Sequence, residues 1–192
     1  MNKIMKLLTV TLPFAFSLSS GVANAATNFT GDYAVSNWTK TLDGGSINTG
    51  GAPLFVSLVS KDVDSEFSVG SSNQDFTIAA VAESVISFNW NYLTSDIDGS
   101  YYDPFYFLLN GSSTKLTLDG SFAPQSGLYS QHVNAGDVFG FRANATDSIK
   151  GFAITRISNF DVTAVPEPET YALMLAGLGM VGFMARRRKT NA

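Results

Sequence analysis

The central part of the chain, from Thr27 to Thr163, shows the two-residue alternation of apolar and polar side chains that is typical of β-strands. Clusters of β-branched and aromatic residues recur along it, and no long stretch has the spacing of an amphipathic helix. We expect strands over residues 33–41, 54–60, 66–71, 75–81, 84–94, 105–109, 114–118, 127–133, 138–143 and 152–163. The sequence therefore predicts an all-β domain.

Two short turn sequences indicate how these strands pair. Asn110-Gly111 joins two predicted strands, and both residues accept the positive φ of a tight hairpin turn. The segment 134–137, Asn-Ala-Gly-Asp, predicts a second hairpin between strands 127–133 and 138–143. Hairpins favour antiparallel pairing, so we expect a two-sheet antiparallel sandwich with jelly-roll or Greek-key connections.

The segment 84–94 has the clearest alternation in the chain. Its bulky residues occupy every second position: Ile86, Phe88, Trp90 and Tyr92. The positions between them are mostly polar: Val85, Ser87, Asn89 and Asn91. This pattern predicts a strand with one face in the core and the other towards solvent.

Composition excludes several functional classes. The chain has no cysteine, which removes disulfides, thiol nucleophiles and Cys-ligated metal sites. Residues 26–165 carry six basic side chains against fourteen carboxylates, a net charge of −8. Because nucleic-acid binding depends on Lys and Arg at the phosphates, we predict no nucleic-acid partner.

The N-terminal segment 1–25 has the organisation of a secretory signal peptide. Lys3 and Lys6 precede a short apolar stretch, and small residues at Ala23 and Ala25 suit a signal peptidase. We predict cleavage between Ala25 and Ala26, with a domain over 26–164. The alternative is a retained membrane anchor, although the stretch is shorter than the roughly 20 apolar residues that a span needs.

The C-terminal segment 165–189 combines three features in a fixed order. Val165-Pro166-Glu167-Pro168 comes first and is expected to be extended and accessible, because proline disfavours regular structure. A short, small-residue apolar helix follows, and the cations are at the end: Arg186, Arg187, Arg188 and Lys189. Such cations hold a helix end in the cytoplasm, which predicts a transient transmembrane helix in the inner membrane.

This order resembles the PEP-CTERM sorting signal of Gram-negative bacteria. The resemblance implies recognition and processing near the Pro-Glu-Pro motif by exosortase, an integral-membrane enzyme, and a final place at the cell surface or in the extracellular matrix. It also implies an association with exopolysaccharide and biofilm. The alternative is an unprocessed tail anchor, since a short helix can still span a thinned bilayer.

The body resembles sandwich domains of other exported bacterial proteins with this tail, which are similar to CUB-type or jelly-roll modules. Four stretches carry this resemblance: residues 88–92, 102–105, 108–111 and 135–142. It implies a fold and transfers no site residue.

Three carboxylates, Asp96, Asp98 and Asp103, lie in one segment that also contains Gly99. Alternate carboxylates of this kind are ligands that Ca²⁺ accepts, although an EF-hand would need Glu where the chain has Phe107. Asp and Gly also suit a plain loop between strands. Calcium is the one cofactor that the sequence suggests, and the loop interpretation remains open beside it.

Aromatic residues crowd the same region: Tyr92, Tyr101, Tyr102, Phe105 and Tyr106. Aromatic faces beside carboxylates can hold sugars, so we predict a ligand contact at the four tyrosines. The alternative is that several of them pack in the core or across strands.

No catalytic residue is predicted. His132 is the single histidine, no Gly-x-Ser-x-Gly motif is present, and a glycosidase-type carboxylate pair cannot be assigned without distances. The sequence thus favours a non-enzymatic, exported structural or adhesive protein of the exopolysaccharide matrix. The alternatives are a calcium-dependent carbohydrate-binding module and, less favoured, a glycoside hydrolase.

Overall fold

The computed structural model describes residues 25–165 and 168–190. Eleven strands lie within this part of the chain: β1 Ala26–Thr27, β2 Thr39–Thr41, β3 Ser46–Asn48, β4 Phe55–Val59, β5 Ser72–Ala79, β6 Ser84–Thr94, β7 Phe105–Leu109, β8 Ser112–Lys115, β9 Gln125–Val133, β10 Val138–Ala145 and β11 Ala153–Ala164. Three short 3₁₀ turns span Gly31–Tyr33, Val35–Asn37 and Gly99–Tyr101, and one helix, α1, spans Pro168–Thr190.

The strands form two sheets with antiparallel pairing throughout. In sheet A the order is β3-β4-β11-β6-β9, with β1 also paired to β11. In sheet B the order is β2-β5-β10-β7-β8. Because β5 and β6, β9 and β10, and β10 and β11 lie in different sheets, the chain repeatedly crosses between layers. The predicted antiparallel two-sheet sandwich is confirmed.

The core between the sheets is a continuous cluster of aromatic rings. Trp38 stacks on Phe76 at 4.5 Å and on Phe141 at 5.6 Å between ring centroids. Its Nε1–H donates a hydrogen bond to the Tyr33 carbonyl at 3.0 Å. Two 3₁₀ turns bring Tyr33 and Trp38 inwards, so the predicted strand over 33–41 is wrong except for β2 at its end.

The predicted strand over 66–71 is also wrong. Ser65 and Ser68 accept hydrogen bonds through their hydroxyl oxygens from the backbone N–H groups of Phe67 and Gly70, which folds the segment into local turns. Phe67 is 80% exposed, so the apolar positions that suggested a strand do not face the core. Strands β1 and β3 escaped prediction because two or three residues are too few to show a period.

The two predicted hairpins have different outcomes. Asn110 and Gly111 have φ of 50° and 81° and join β7 to its neighbour β8, as predicted. The turn over 134–137 instead connects β9 in sheet A to β10 in sheet B, so the second hairpin is wrong. Gly136 N–H donates to the Ala80 carbonyl, which holds this turn across the edge of the sandwich.

Strand β6 follows its predicted alternation. Four bulky residues are buried: Ile86, Phe88, Trp90 and Tyr92. The polar positions between them point away from the core, with Asn91 exposed. Because β6 lies between β11 and β9, its polar side is part of the outer face of sheet A.

The first and last strands meet at one end of the sandwich. Ala26 pairs with Val162, and Val165 N–H donates to the Glu83 carbonyl at 3.0 Å. We call this the proximal end. The opposite or distal end consists of the loops 60–71, 95–104, 116–124 and 146–152. Both terminal segments therefore leave the domain from the same end.

Helix α1 begins at Pro168, so the expectation that the whole Pro-Glu-Pro region is extended is wrong at its last residue. Proline is well tolerated in the first turn of a helix, where its missing N–H costs no intrahelical bond. Among the described residues, no helix is long and apolar enough for a membrane crossing.

Candidate functional site

The sorting-motif residues directly follow the last strand. Val165 is tied to Glu83, Pro166 and Glu167 lie outside the described residues, and Pro168 opens α1. Arg186, Arg187 and Arg188 lie in the last two turns of α1, where the Arg186 side chain is exposed.

The predicted signal-cleavage residues lie at the same end of the domain. Ala23 is outside the described residues, Ala25 is exposed, and Ala26 is the first residue of β1. Cleavage after Ala25 would thus leave a mature chain whose first residue is already paired in sheet A.

The three predicted calcium ligands have different environments at the distal end. Asp96 and Asp103 are buried, at 3% and 2% exposure, whereas Asp98 is exposed and lies 3.7 Å from Lys150 Nζ. Asp96 Oδ1 accepts a hydrogen bond from Asp98 N–H at 2.6 Å, which closes a local turn. Within residues 25–165 and 168–190, no three His, Cys, Asp or Glu side chains come together as a group that could hold a metal ion. Calcium binding stays a prediction.

Asp103 has the most perturbed carboxyl group of this end. Its Oδ2 is buried and has no hydrogen-bond partner in the described part of the chain. The pKa of Asp103 is raised to about 7, chiefly by burial and in smaller part by the neighbouring carboxylates of Asp96, Asp147 and Asp62. Burial likewise raises the pKa of Asp96. The Asp103 carboxyl therefore retains a proton well above the pH at which an exposed aspartate is ionised.

The four predicted ligand-binding tyrosines do not share a surface. Tyr92 is 2% exposed, donates its hydroxyl proton to the Asp103 carbonyl at 2.9 Å and contributes to the lining of a cleft on sheet A. Tyr101 is exposed and packs edge-on against Tyr102 at 5.0 Å. Tyr106 lies on sheet B, paired with Arg142 and Lys115. Ligand contacts at all four tyrosines stay predictions.

The outer face of sheet A carries a row of polar side chains across five strands. The cross-strand pairs follow one another in the order Asn48, Ser57, Arg156, Asn91, Ser126. The Arg156 guanidinium lies 3.5 Å from the ring centroid of Phe55, a cation–π contact that holds it flat on the sheet. Among the described residues, Arg156 has no carboxylate partner within salt-bridge distance.

Two adjoining clefts open on this row. The larger, about 330 Å³, lies beside Arg156 and Asn91. Its other lining residues include Leu93, Pro124, Gln125, Ser126 and Ile154. The smaller, about 260 Å³, shares Asn91 and Ser126 with it and adds Asn89, Trp90 and Gly127.

Gly127 opens the smaller cleft to Trp90. These two residues are cross-strand partners, and a Cβ on Gly127 would lie 2.8 Å from Trp90 Nε1. Trp90 is 7% exposed, and its Nε1–H makes no hydrogen bond within the described part of the chain. A fully buried indole N–H normally has a partner, as that of Trp38 does. Trp90 Nε1 is instead open to water, so the smaller cleft presents a donor to solvent.

Sequence reasoning missed this site. The amides Asn89 and Asn91 were visible as the polar side of β6, and Arg156 was visible as a rare cation in an acidic body. Nothing in the sequence showed that β11 lies beside β6, or that Gly127 faces Trp90, because both pairings join distant segments.

Comparison with protein families identifies the tail. Residues 164–189 match the model of the PEP-CTERM protein-sorting motif, which begins one residue before the predicted segment. The chain therefore carries this motif at its C-terminal end, and the motif implies an exported protein with exosortase as its processing partner. No curated protein matches the chain.

Comparison with solved structures finds β-sandwich carbohydrate-binding modules. The chain is similar to a family 35 module from Clostridium thermocellum (11% identity, 70% of this chain and 98% of that chain, TM-score 0.33). It is also similar to the C-terminal family 6 module of a laminarinase from Zobellia galactanivorans (11%, 70% and 99%, TM-score 0.36). Against a Podospora anserina mannanase it reaches 16% identity over 76% of this chain but spans only 29% of that chain, with a TM-score of 0.37. Likenesses this weak carry no inference about a ligand.

Proposed function

We propose that this protein is an exported, exosortase-processed structural or adhesive component of the extracellular polysaccharide matrix of a Gram-negative bacterium. The observation that carries the proposal is the PEP-CTERM motif at 164–189, which starts where β11 ends. Strand β11 ends at Ala164, the first residue of the motif, so the folded body directly precedes the sorting tail and is suited to display at a surface.

In this proposal the chain meets three partners in order. Signal peptidase removes residues 1–25, the tail associates transiently with the inner membrane, and exosortase then acts near Pro166-Glu167-Pro168. The mature body, with its net charge of −8, would stay soluble among matrix polymers, since like charges keep protein copies apart. Its role is to bind and to build, without a catalysed reaction.

Intact mass spectrometry of the protein from its native host tests the proposal. Material from the cell envelope and from the medium should begin at Ala26 and end near the Pro-Glu-Pro segment. A variant with Pro166, Glu167 and Pro168 all changed to Ala should retain the tail. Thr170→Ala is the matched control, outside the Pro-Glu-Pro tripeptide, and should be processed normally.

A native-host mass that runs to Ala192 would contradict exosortase processing. So would an unchanged mature mass in the triple variant. Because the substitutions lie after β11, the circular dichroism spectrum of each variant should match that of the unsubstituted protein.

A second candidate function is calcium-dependent carbohydrate binding. The buried Asp103 Oδ2, which has no partner in the described part of the chain, favours it, because a bound cation or a proton would satisfy that atom. Glycan retention that is lost in EDTA and restored by calcium would support this function. Glycan retention that neither EDTA nor calcium changes would contradict calcium dependence and favour the structural or adhesive role.

A further inference from the structure

The outer face of sheet A combines features that a folded protein does not need for its own stability. Among the described residues, the clefts contain an indole N–H without a protein partner, a guanidinium without a carboxylate, and the side-chain amides of Asn89 and Asn91. The Trp90 N–H is not fully buried and is open to water in the smaller cleft. A ligand oxygen that enters this cleft would replace that water as the acceptor.

We propose that the two adjoining clefts form one binding surface for an uncharged, hydroxyl-rich polysaccharide chain. This inference rests on the proposed function and names its ligand class and site. The residues that carry it are Trp90 and Gly127 in the smaller cleft, Arg156 in the larger cleft, and Asn91, which lines both.

The donors and acceptors match neighbouring hydroxyl groups. Asn89 and Asn91 each offer an amide oxygen and two N–H donors on the same side of β6. Arg156 offers a planar fork of N–H donors, held flat by Phe55 at 3.5 Å. Because these groups lie on strands that the sheet already holds in place, little conformational entropy is lost when a ligand binds.

The apolar lining suits the C–H faces of sugar rings. Leu93 and Ile154 are cross-strand partners, are 53% and 38% exposed, and lie in the larger cleft beside the polar row. Pro124 closes the same cleft at the β9 side. A surface with amides in one row and aliphatic groups in the next can hold a chain that is itself polar on its edges and apolar on its faces.

The net charge of the domain favours a neutral polysaccharide over an acidic one. Arg156 is the one cation among the residues that line the two clefts, whereas the body as a whole carries −8. A polyanion would gain a contact at Arg156 but would be repelled by the surrounding field. An uncharged chain gains the same hydrogen bonds without that repulsion.

Affinity gel electrophoresis of the purified protein, as recovered from its host, tests the inference. The probes are soluble neutral polysaccharides (a mixed-linkage β-glucan, a galactomannan and an arabinoxylan), with alginate as the acidic probe. At least one neutral probe should retard the protein, and alginate should not. Arg156→Ala removes a charged donor and should weaken retardation roughly ten- to hundredfold. Asn91→Ala removes a neutral amide and should weaken it less.

Two further variants separate binding from folding. Gly127→Ala would place a methyl group 2.8 Å from Trp90 Nε1 and should weaken retardation by displacing the indole from the smaller cleft. Lys115→Ala removes the same charge as Arg156→Ala from the outer face of sheet B and should bind normally. Urea unfolding curves identify any variant that fails to fold.

Three outcomes would overturn the inference. They are retardation by alginate alone, retardation by no probe, and equal retardation of folded Arg156→Ala and Lys115→Ala. None of these changes the mature mass, so failure of the cleft and failure of the sorting proposal are distinguished by separate measurements.

Discussion

Replacing Asp103 by Asn should change how the stability of the domain depends on pH. In the folded protein burial raises the pKa of Asp103 to about 7, whereas an unfolded aspartate titrates near 3.8. Between these values the folded state binds more protons than the unfolded state, so the free energy of unfolding falls as pH rises. The stabilisation by the protonated carboxyl is complete below about pH 4 and is lost by about pH 8.

The magnitude follows from the size of the pKa difference. A difference of about three units corresponds to roughly 4 kcal/mol at most, since each unit is worth about 1.4 kcal/mol. The raised pKa of Asp96 adds a slope of the same sign. In Asp103→Asn the neutral amide cannot ionise, so most of the decline between pH 5 and 8 should disappear.

Urea unfolding at closely spaced pH values from 4.5 to 8.5, followed by intrinsic tryptophan fluorescence, measures this profile. Asp64→Asn, an exposed position in the same end of the domain, is the matched control and should keep the wild-type slope. A wild-type stability that stays constant over this range, or an equal slope in Asp103→Asn, would refute the argument. Repeating the series with calcium tests the calcium prediction, because an ion bound only to the folded state raises stability.

Three other substitutions test the packing, turn and ion-pair arguments by the same unfolding assay. Phe141→Ala removes a fully buried ring that contacts Trp38 and should cost about 3–5 kcal/mol; a loss under 1 kcal/mol would contradict the aromatic core. Gly111→Ala, at φ 81°, should cost about 1 kcal/mol, whereas the same change at a position of negative φ would not. Arg142→Lys breaks the two-pronged pair with Asp75, at 2.7 Å for both contacts, and should destabilise the domain at low salt more than at high salt.

Local patterns predicted the features that depend on neighbouring residues. The alternation in β6 and the Asn110-Gly111 hairpin are both properties of one short segment, and both are present in the structure. The sorting tail is likewise contained in a single stretch, which a family model confirms. The sequence was therefore sufficient to predict export and the fold class.

Features that depend on distant pairings were out of reach. The turn over 134–137 has the composition of a hairpin, but its Gly136 N–H bonds to Ala80, the residue after β5, and the turn leads from sheet A into sheet B. The hydrogen bond from the Tyr92 hydroxyl to the Asp103 carbonyl likewise joins β6 to a loop and has no local sequence signal. The clefts arise only where β11, β6 and β9 lie side by side.

The position of β11 has a mechanical consequence. This strand is bonded to β4 and β1 on one side and to β6 on the other, and the tail continues directly from its last residue. A pull between an anchored tail and a polymer held at Asn91 on β6 would run parallel to β11 and load this strand against its neighbour. The load would then fall on many inter-strand hydrogen bonds at once, in shear, instead of opening them one by one. The domain would therefore resist unfolding under flow, because these hydrogen bonds share the force.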